Sequence, residues 1–266
     1  MCDRAFGNNR SGGKVNAVTN PALSRDPSAP FVTYYDGTTG ERTELSGTSF
    51  ANWQAKTANY LRDGFGLEAG DRLTLDLPLH WITPVWIAAA RALAVTVSIA
   101  PASQVPASTD LLVVGPTSLA HAPTSCDVVA CSLLPFAQPF GKPLPTGVED
   151  YFAEVRNYGD HLDAPPVSPG TDPVLVLDAN ALSQTQLTEV ARARISTLEL
   201  KNGARLLLAS ESSASEESPS LTAAQLLDCY DIPSTIGGSV VLAVGQTPEQ
   251  LERITDQERV TDLINE

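Results

Sequence analysis

One nine-residue pattern occurs twice in this chain and limits what the chain can fold into. Leu67-Glu-Ala-Gly70-Asp71-Arg72-Leu73-Thr74-Leu75 and Leu200-Lys-Asn-Gly203-Ala204-Arg205-Leu206-Leu207-Leu208 share Leu-x-x-Gly-x-Arg-Leu-x-Leu, 133 residues apart. Before the first copy, Ser49 is placed to cap a helix whose Phe50, Trp53, Thr57 (through its methyl), Tyr60 and Leu61 form one apolar stripe. After it, the pattern predicts a helix over 81–93 and a strand over 95–99. The second copy has the same surroundings. Ser183 caps a stripe of Leu187, Val190, Ala191, Ile195 and Leu198; then come a helix over 221–229, Gly237-Gly238 and a strand over 239–243. A period this long in two copies is not a solenoid. Helices alternating with nearly continuous apolar strands imply an α/β fold, doubly wound, with mostly parallel sheets.

The repeat sets the expected organisation. Residues 1–25 are polar and Gly/Asn-rich and read as a flexible N-terminal extension. The body runs over 26–266 as two α/β units, about 26–163 and 174–266, joined by the Pro-rich stretch 164–173. Phe31–Tyr35 and Glu41–Leu45 predict a hairpin, 111–114 and 127–131 predict buried strands, and four prolines make 135–147 a stiff loop.

Composition excludes several partners. Lys plus Arg total 17 against 31 Asp plus Glu, a net charge of −14, so no nucleic acid is expected to bind. The apolar stretch 79–100 carries His80, Thr83, Pro84 and Arg91 and turns β-branched in its second half, so it reads as a buried helix and strand and not as a membrane span. Of Cys2, Cys126, Cys131 and Cys229, the middle pair is five apart, which puts the two thiols on opposite faces of a strand. With His80, His121 and His161 scattered, no metal-ligand spacing exists, and the cysteines read as buried free thiols. A polar opening and no disulfide framework lead to a cytoplasmic expectation.

Few residues offer chemistry. Gly7 to Lys14 has neither the spacing nor the preceding strand of a phosphate loop. Asp36-Gly37-Thr38-Thr39-Gly40-Glu41-Arg42 looks like one but lacks its lysine, and alternating strand residues flank it, so it reads as a hairpin turn. His80-Trp81 stands at the carboxyl end of the strand 73–77, where open α/β sheets bind ligands. The pair is either packed at a helix start or ligand-facing, and it is the candidate ligand site. Asp150, Glu154 and Arg156 offer a small acid/base cluster or a helix-surface ion pair.

The order Tyr34-Tyr35-Asp36, Gly40-Glu41-Arg42, Glu44-Leu45-Ser46, Asn52-Trp53, Lys56-Thr57-Ala58-Asn59 and Leu67-x-x-Gly70-Asp71-Arg72 resembles the start of the adenylate-forming superfamily, which includes AMP-forming acyl-CoA synthetases. Residues 30–266 are similar to short stand-alone proteins that match only the front portion of those ligases, with Leu77-Pro78-x-His80-Trp81 and Leu144-Pro145-x-Gly147-Val148-x-Asp150-Tyr151-x-x-Glu154-Val155-Arg156 as shared motifs. The resemblance implies two Rossmann-like units, as in the N-terminal domain of adenylate-forming enzymes.

Where the resemblance puts the ATP phosphate loop, after Val174–Leu177, this chain has Asp178-Ala179-Asn180-Ala181-Leu182-Ser183, with no glycine and no lysine. The ligases' later adenine-binding segment, Mg-binding acid, hinge and C-terminal domain with its catalytic lysine have no counterpart in the sequence. The expectation is a non-catalytic relative of the ligases that binds a small molecule or a protein, with no ATP or AMP cofactor. The alternatives are an acyl-CoA synthetase-like activity completed by a second polypeptide, and a self-associating structural module, a homo-oligomer.

Overall fold

The two copies of the repeated pattern end up in different sheets. The computed structural model describes residues 26–163, 172–177, 180–210 and 221–264. The extension expected over 1–25, most of the stretch 164–173 and the Ser/Glu-rich residues 211–220 lie outside the described residues.

In chain order, β1 (Pro30–Asp36) and β2 (Arg42–Ser46) form the expected hairpin, and α1 (Gly47–Asn59) runs on into a π-helical turn (Tyr60–Gly64). β3 (Arg72–Asp76), α2 (Thr83–Ala92), β4 (Thr96–Ile99), β5 (Leu111–Val114), β6 (Asp127–Ala130), β7 (Val148–Asp150) and a one-turn α3 (Tyr151–Glu154) follow. Then come β8 (Pro173–Leu177), β9 (Asn180–Ser183), α4 (Gln184–Thr197), β10 (Arg205–Ser210), α5 (Ala223–Leu226), a second π-helical turn (Leu227–Asp231) and α6 (Ile232–Ile236). β11 (Ser239–Val244), α7 (Pro248–Glu258) and β12 (Asp262–Ile264) complete the described chain.

Local chemistry accounts for most boundaries. α1 is capped by Ser46, whose Oγ accepts from the Ser49 amide. Ser49 was the expected cap, but Ser46 has the extended backbone a cap requires, and Ser49 already lies in the first turn. Ser183 caps α4 as expected, in a reciprocal box with Gln186. The helix expected to stop at 229 continues through the π turn, and Pro233 is tolerated because it falls in the first turn of α6. Gly237 then ends it in the left-handed conformation, and a Cβ on Gly238 would lie 2.1 Å from the Ala204 carbonyl oxygen.

The first sheet has the order β12-β10-β11-β1-β2, the second β7-β6-β5-β3-β4-β8-β9. All pairs are parallel except the two hairpins, β1–β2 and β8–β9. Sheet membership therefore cuts across the sequence division into 26–163 and 174–266. β1 and β2 come from the first stretch but join β11, while β8 and β9 come from the second but join β4. A hairpin settles its own pairing locally; which outside strand its free edge meets is a long-range choice that local spacing does not encode.

Alternation across the strands makes two faces. Leu73, Leu75, Val97, Leu111, Val113 and Val129 of one sheet share a single core with Leu206, Leu208, Val240, Leu242 and Ile264 of the other. The opposite faces have smaller cores: Leu112, Val114, Val128 and Ala130 under loops, and Leu207, Val241 and Ala243 under Ile254 and Leu251 of α7. Cys131 lies in the shared core and Cys126 against the smaller one, the opposite-face arrangement expected of them. Among the described residues no helix is long and apolar enough to cross a membrane.

Candidate functional site

The crossover from β3 to α2 carries the sequence-selected pair across to the other sheet. His80 packs against Tyr34 of β1 with ring centroids 4.6 Å apart and the planes tilted by 60°, so the turn after β3 reaches the first strand of the other sheet. Its backbone carbonyl accepts from the Thr83 amide, and Thr83 Oγ1 donates to the Pro78 carbonyl at 2.8 Å, which fixes the turn. His80 Nδ1 accepts from the Ile82 amide at 3.2 Å. That bond assigns the proton of the neutral ring to Nε2. Burial pushes the imidazole down to about 3, against a weak opposing pull from Asp36, so the ring is uncharged near neutrality.

Both residues are enclosed, each 2% exposed. Trp81 is walled by Trp53 at 5.4 Å and Phe152 at 5.9 Å, and behind it Trp86 packs on Tyr151 at 4.7 Å. The sequence reading of a ligand-facing pair thus meets a pair held in the aromatic core. A polar residue at a helix start marks the helix boundary but not whether neighbouring rings close over it. A cavity of about 220 Å³ lies at the amino ends of β1 and β11, bordered by Asp26, Phe31, Gly203 and Ser239, and includes neither His80 nor Trp81.

The other selected residues serve the framework. Asp36 Oδ1 accepts from the amides of Thr38 and Thr39, and Gly40 has φ +74°, so this segment is the expected hairpin turn. Asp150, Glu154 and Arg156 do not form an ion pair with one another: Asp150 accepts from Phe140 and Phe152 amides, Glu154 from Asn157, and Arg156 donates to the carbonyls of Ala137 and Phe136. Among the described residues no group of three or more His, Cys, Asp or Glu is arranged to hold a metal.

Two polar clusters escape sequence reading because their members are far apart in the chain. Glu258, at the end of α7, accepts from Tyr35 Oη at 2.5 Å, Arg42 at 2.8 Å and Arg205 at 2.5 Å. Burial opposes its charge, but these three donors outweigh it and hold the carboxyl below its usual range. Arg91, buried on α2, donates to the Val174 carbonyl of β8 and reaches Asp231 at 3.4 Å. Burial raises the Asp231 carboxyl, with Arg91 pulling the other way.

The hairpin β8–β9 occupies the place where the ligase resemblance puts the phosphate loop. Leu177 pairs directly with Asn180, so two residues, Asp178 and Ala179, separate the paired positions.

A protein of Mycobacterium tuberculosis described as a TIGR03089 family protein is 34% identical over 253 residues, covering 93% of this chain and 96% of that one. The chain belongs to the TIGR03089 family. No family model matches the sequence. Among solved structures, this TIGR03089-family chain is similar to an acyl-CoA synthetase of Brucella canis (TM-score 0.68, 18% identity, 92% of this chain and 47% of that one). It is also similar to the acetoacetyl-CoA synthetase of Streptomyces lividans (0.66, 18% identity, 91% and 40%). The N-terminal domain of FACL13 from Mycobacterium tuberculosis matches over 90% of this chain and 59% of that one (0.65, 14% identity). The chain thus spans about half the length of the synthetases it matches. At these identities the likeness is one of fold, and that fold is the N-terminal part of the adenylate-forming enzymes.

Proposed function

We propose that this chain is a non-catalytic relative of the adenylate-forming ligases and works by binding. The β8–β9 hairpin carries the reading. A triphosphate is cradled by successive backbone N–H groups in a Gly-rich loop, usually with a lysine. Here two residues separate the paired positions Leu177 and Asn180, neither is glycine or lysine, and Asp178 adds a negative charge to a chain already at −14. Three carboxylates are in keeping with the same reading, since Glu258, Asp228 and Asp231 each face an arginine in framework contacts. The test is ATP–pyrophosphate exchange over a panel of carboxylic acids, with calorimetric titration of ATP and AMP. The expected result is no exchange and no nucleotide heat; acid-dependent exchange by the purified chain overturns the proposal.

A second reading, a ligase activity completed by another polypeptide, is favoured by the match to about half of each synthetase. It requires exchange that appears only when the other polypeptide is added.

A further inference from the structure

The cavity of about 220 Å³ lies at the amino ends of β1 and β11, whereas the β8–β9 turn stands at the carboxyl end of β8. Open α/β sheets bind their usual ligands at carboxyl ends, so this space is distinct from the place the ligase resemblance points to. Its wall is largely backbone. Gly203 and Gly237 have positive φ (79° and 64°), and a Cβ on Gly238 would run into the Ala204 carbonyl, so none of the three accepts a side chain without strain. The same glycines are tied down. The Gly203 amide donates to the Ile236 carbonyl at 2.8 Å, and the Gly238 amide to the Pro233 carbonyl at 2.8 Å. Phe31, packed edge-on against Phe50 at 4.7 Å, closes the inner side. The space is therefore preformed.

Its electrostatics have one sign. Asp26 borders the cavity, and its Oδ1 accepts from both the Ser28 hydroxyl at 2.7 Å and the Ser28 amide at 3.1 Å. These bonds hold the carboxyl below its usual range, so it is charged near neutrality. Among the described residues no hydrogen bond uses the other oxygen, Oδ2. The helical run 223–236, made of α5, the π turn and α6, ends at Gly237 on the cavity wall and brings the negative pole of its dipole there. No lysine or arginine borders the space. Arg205 donates to Ser239 Oγ at 3.0 Å, but its charge is paired with Glu258 at 2.5 Å.

We propose that this cavity binds a small organic cation, a primary ammonium or guanidinium on a short apolar tail, with the charged head at Asp26 and the tail against Ala29 and the glycine backbone. The proposal rests on the reading that this chain works by binding, and it adds the place and the chemical class. A volume of about 220 Å³ is smaller than the roughly 300–1,000 Å³ of drug-sized sites, which limits the ligand to a fragment-sized molecule. A carboxylate or phosphate is repelled by Asp26 and by the helix end, in a chain already at −14.

The test is an amide NMR titration of the purified full chain with n-butylammonium. The signals of Ala29, Gly203, Gly237 and Gly238 are expected to move along one saturable curve. n-Butylguanidinium should act alike, butanol at least about tenfold more weakly, and butyrate not at all. Asp26→Asn keeps an acceptor for Ser28, so it is expected to leave the melting temperature unchanged while weakening the cation about tenfold or more. Glu68→Gln removes an exposed carboxylate ahead of β3 and should leave the affinity as it was. Shifts that do not saturate, an equal response to butanol or butyrate, or equal losses in Asp26→Asn and Glu68→Gln each overturn the proposal, as does an Asp26→Asn chain that binds like the parent. Nucleotide exchange is a separate readout: acid-dependent exchange overturns the binding reading and leaves the result of the cation titration standing.

Discussion

Hairpins β1–β2 and β8–β9 follow one plan and differ in the number of residues that join their strands. Each places its first strand parallel to a strand of the sheet built mainly from the other half, and each leads through a capping serine into a helix. The first has five residues between its strands, enough for the Asp36 turn, and Gly37 fits where a Cβ would lie 2.0 Å from the Gly245 carbonyl oxygen. The second has two. The two connections thus differ in length, and the shorter one lies where the ligase resemblance puts its phosphate loop. Each hairpin is also fastened by an arginine. Arg91 reaches Val174 of the second, whereas Arg205 reaches Thr33 of the first and, through Glu258, Tyr35 and Arg42.

The arginines give the largest test of this symmetry. Arg91→Ala leaves Asp231 buried without its cation and is expected to cost roughly 3–5 kcal/mol in denaturant unfolding. Native-state amide exchange should speed up in β8–β9 first. Arg205→Ala is expected to cost less, about 2–3 kcal/mol, because Arg42 and Tyr35 still hold Glu258. Its exchange signature should fall on β1–β2. If both variants loosen the same hairpin, the assignment of one arginine to each is wrong.

Acid should act on the first hairpin through His80. Its folded value of about 3 lies below the ordinary 6.5, so the unfolded chain binds a proton that the native ring refuses. This contribution is full above the unfolded value and declines as pH falls toward the folded one. Between about pH 7 and pH 5 it amounts to about 2 kcal/mol of lost stability. His80→Asn, which keeps an acceptor for the Ile82 amide, should flatten that slope; an unchanged slope would place the effect elsewhere. The smallest effects separate the two caps. Ser46→Ala and Ser183→Ala should each cost about 1 kcal/mol, the latter more because it also disrupts the box with Gln186.

Sequence reading succeeded where the determinants are local. The Gly-Arg strands, the Ser183 cap, the first hairpin and the opposite-face cysteines all follow from spacing over a few residues. The π turns, with α7 and β12, are structural findings beyond what the periodicity set out. The exchange of hairpins between sheets depends on pairings such as Thr33 with Val241, more than 200 residues apart. The candidate site was legible only as residue types: His80 and Trp81 were identified, but their enclosure depends on Tyr34, Trp53 and Phe152 arriving from three other elements.

The exchange of hairpins bears on how the chain can be divided. A gene cut between residues 163 and 172 would give two pieces, each holding most of one sheet and the missing hairpin of the other. Alone, each piece would present an open strand edge, at β4 in one and β11 in the other. Together, each supplies the strand its counterpart lacks, so the pieces are expected to be insoluble or unfolded apart and to reassemble by reciprocal strand donation when co-expressed, which the solubility of each piece alone and of the pair checks.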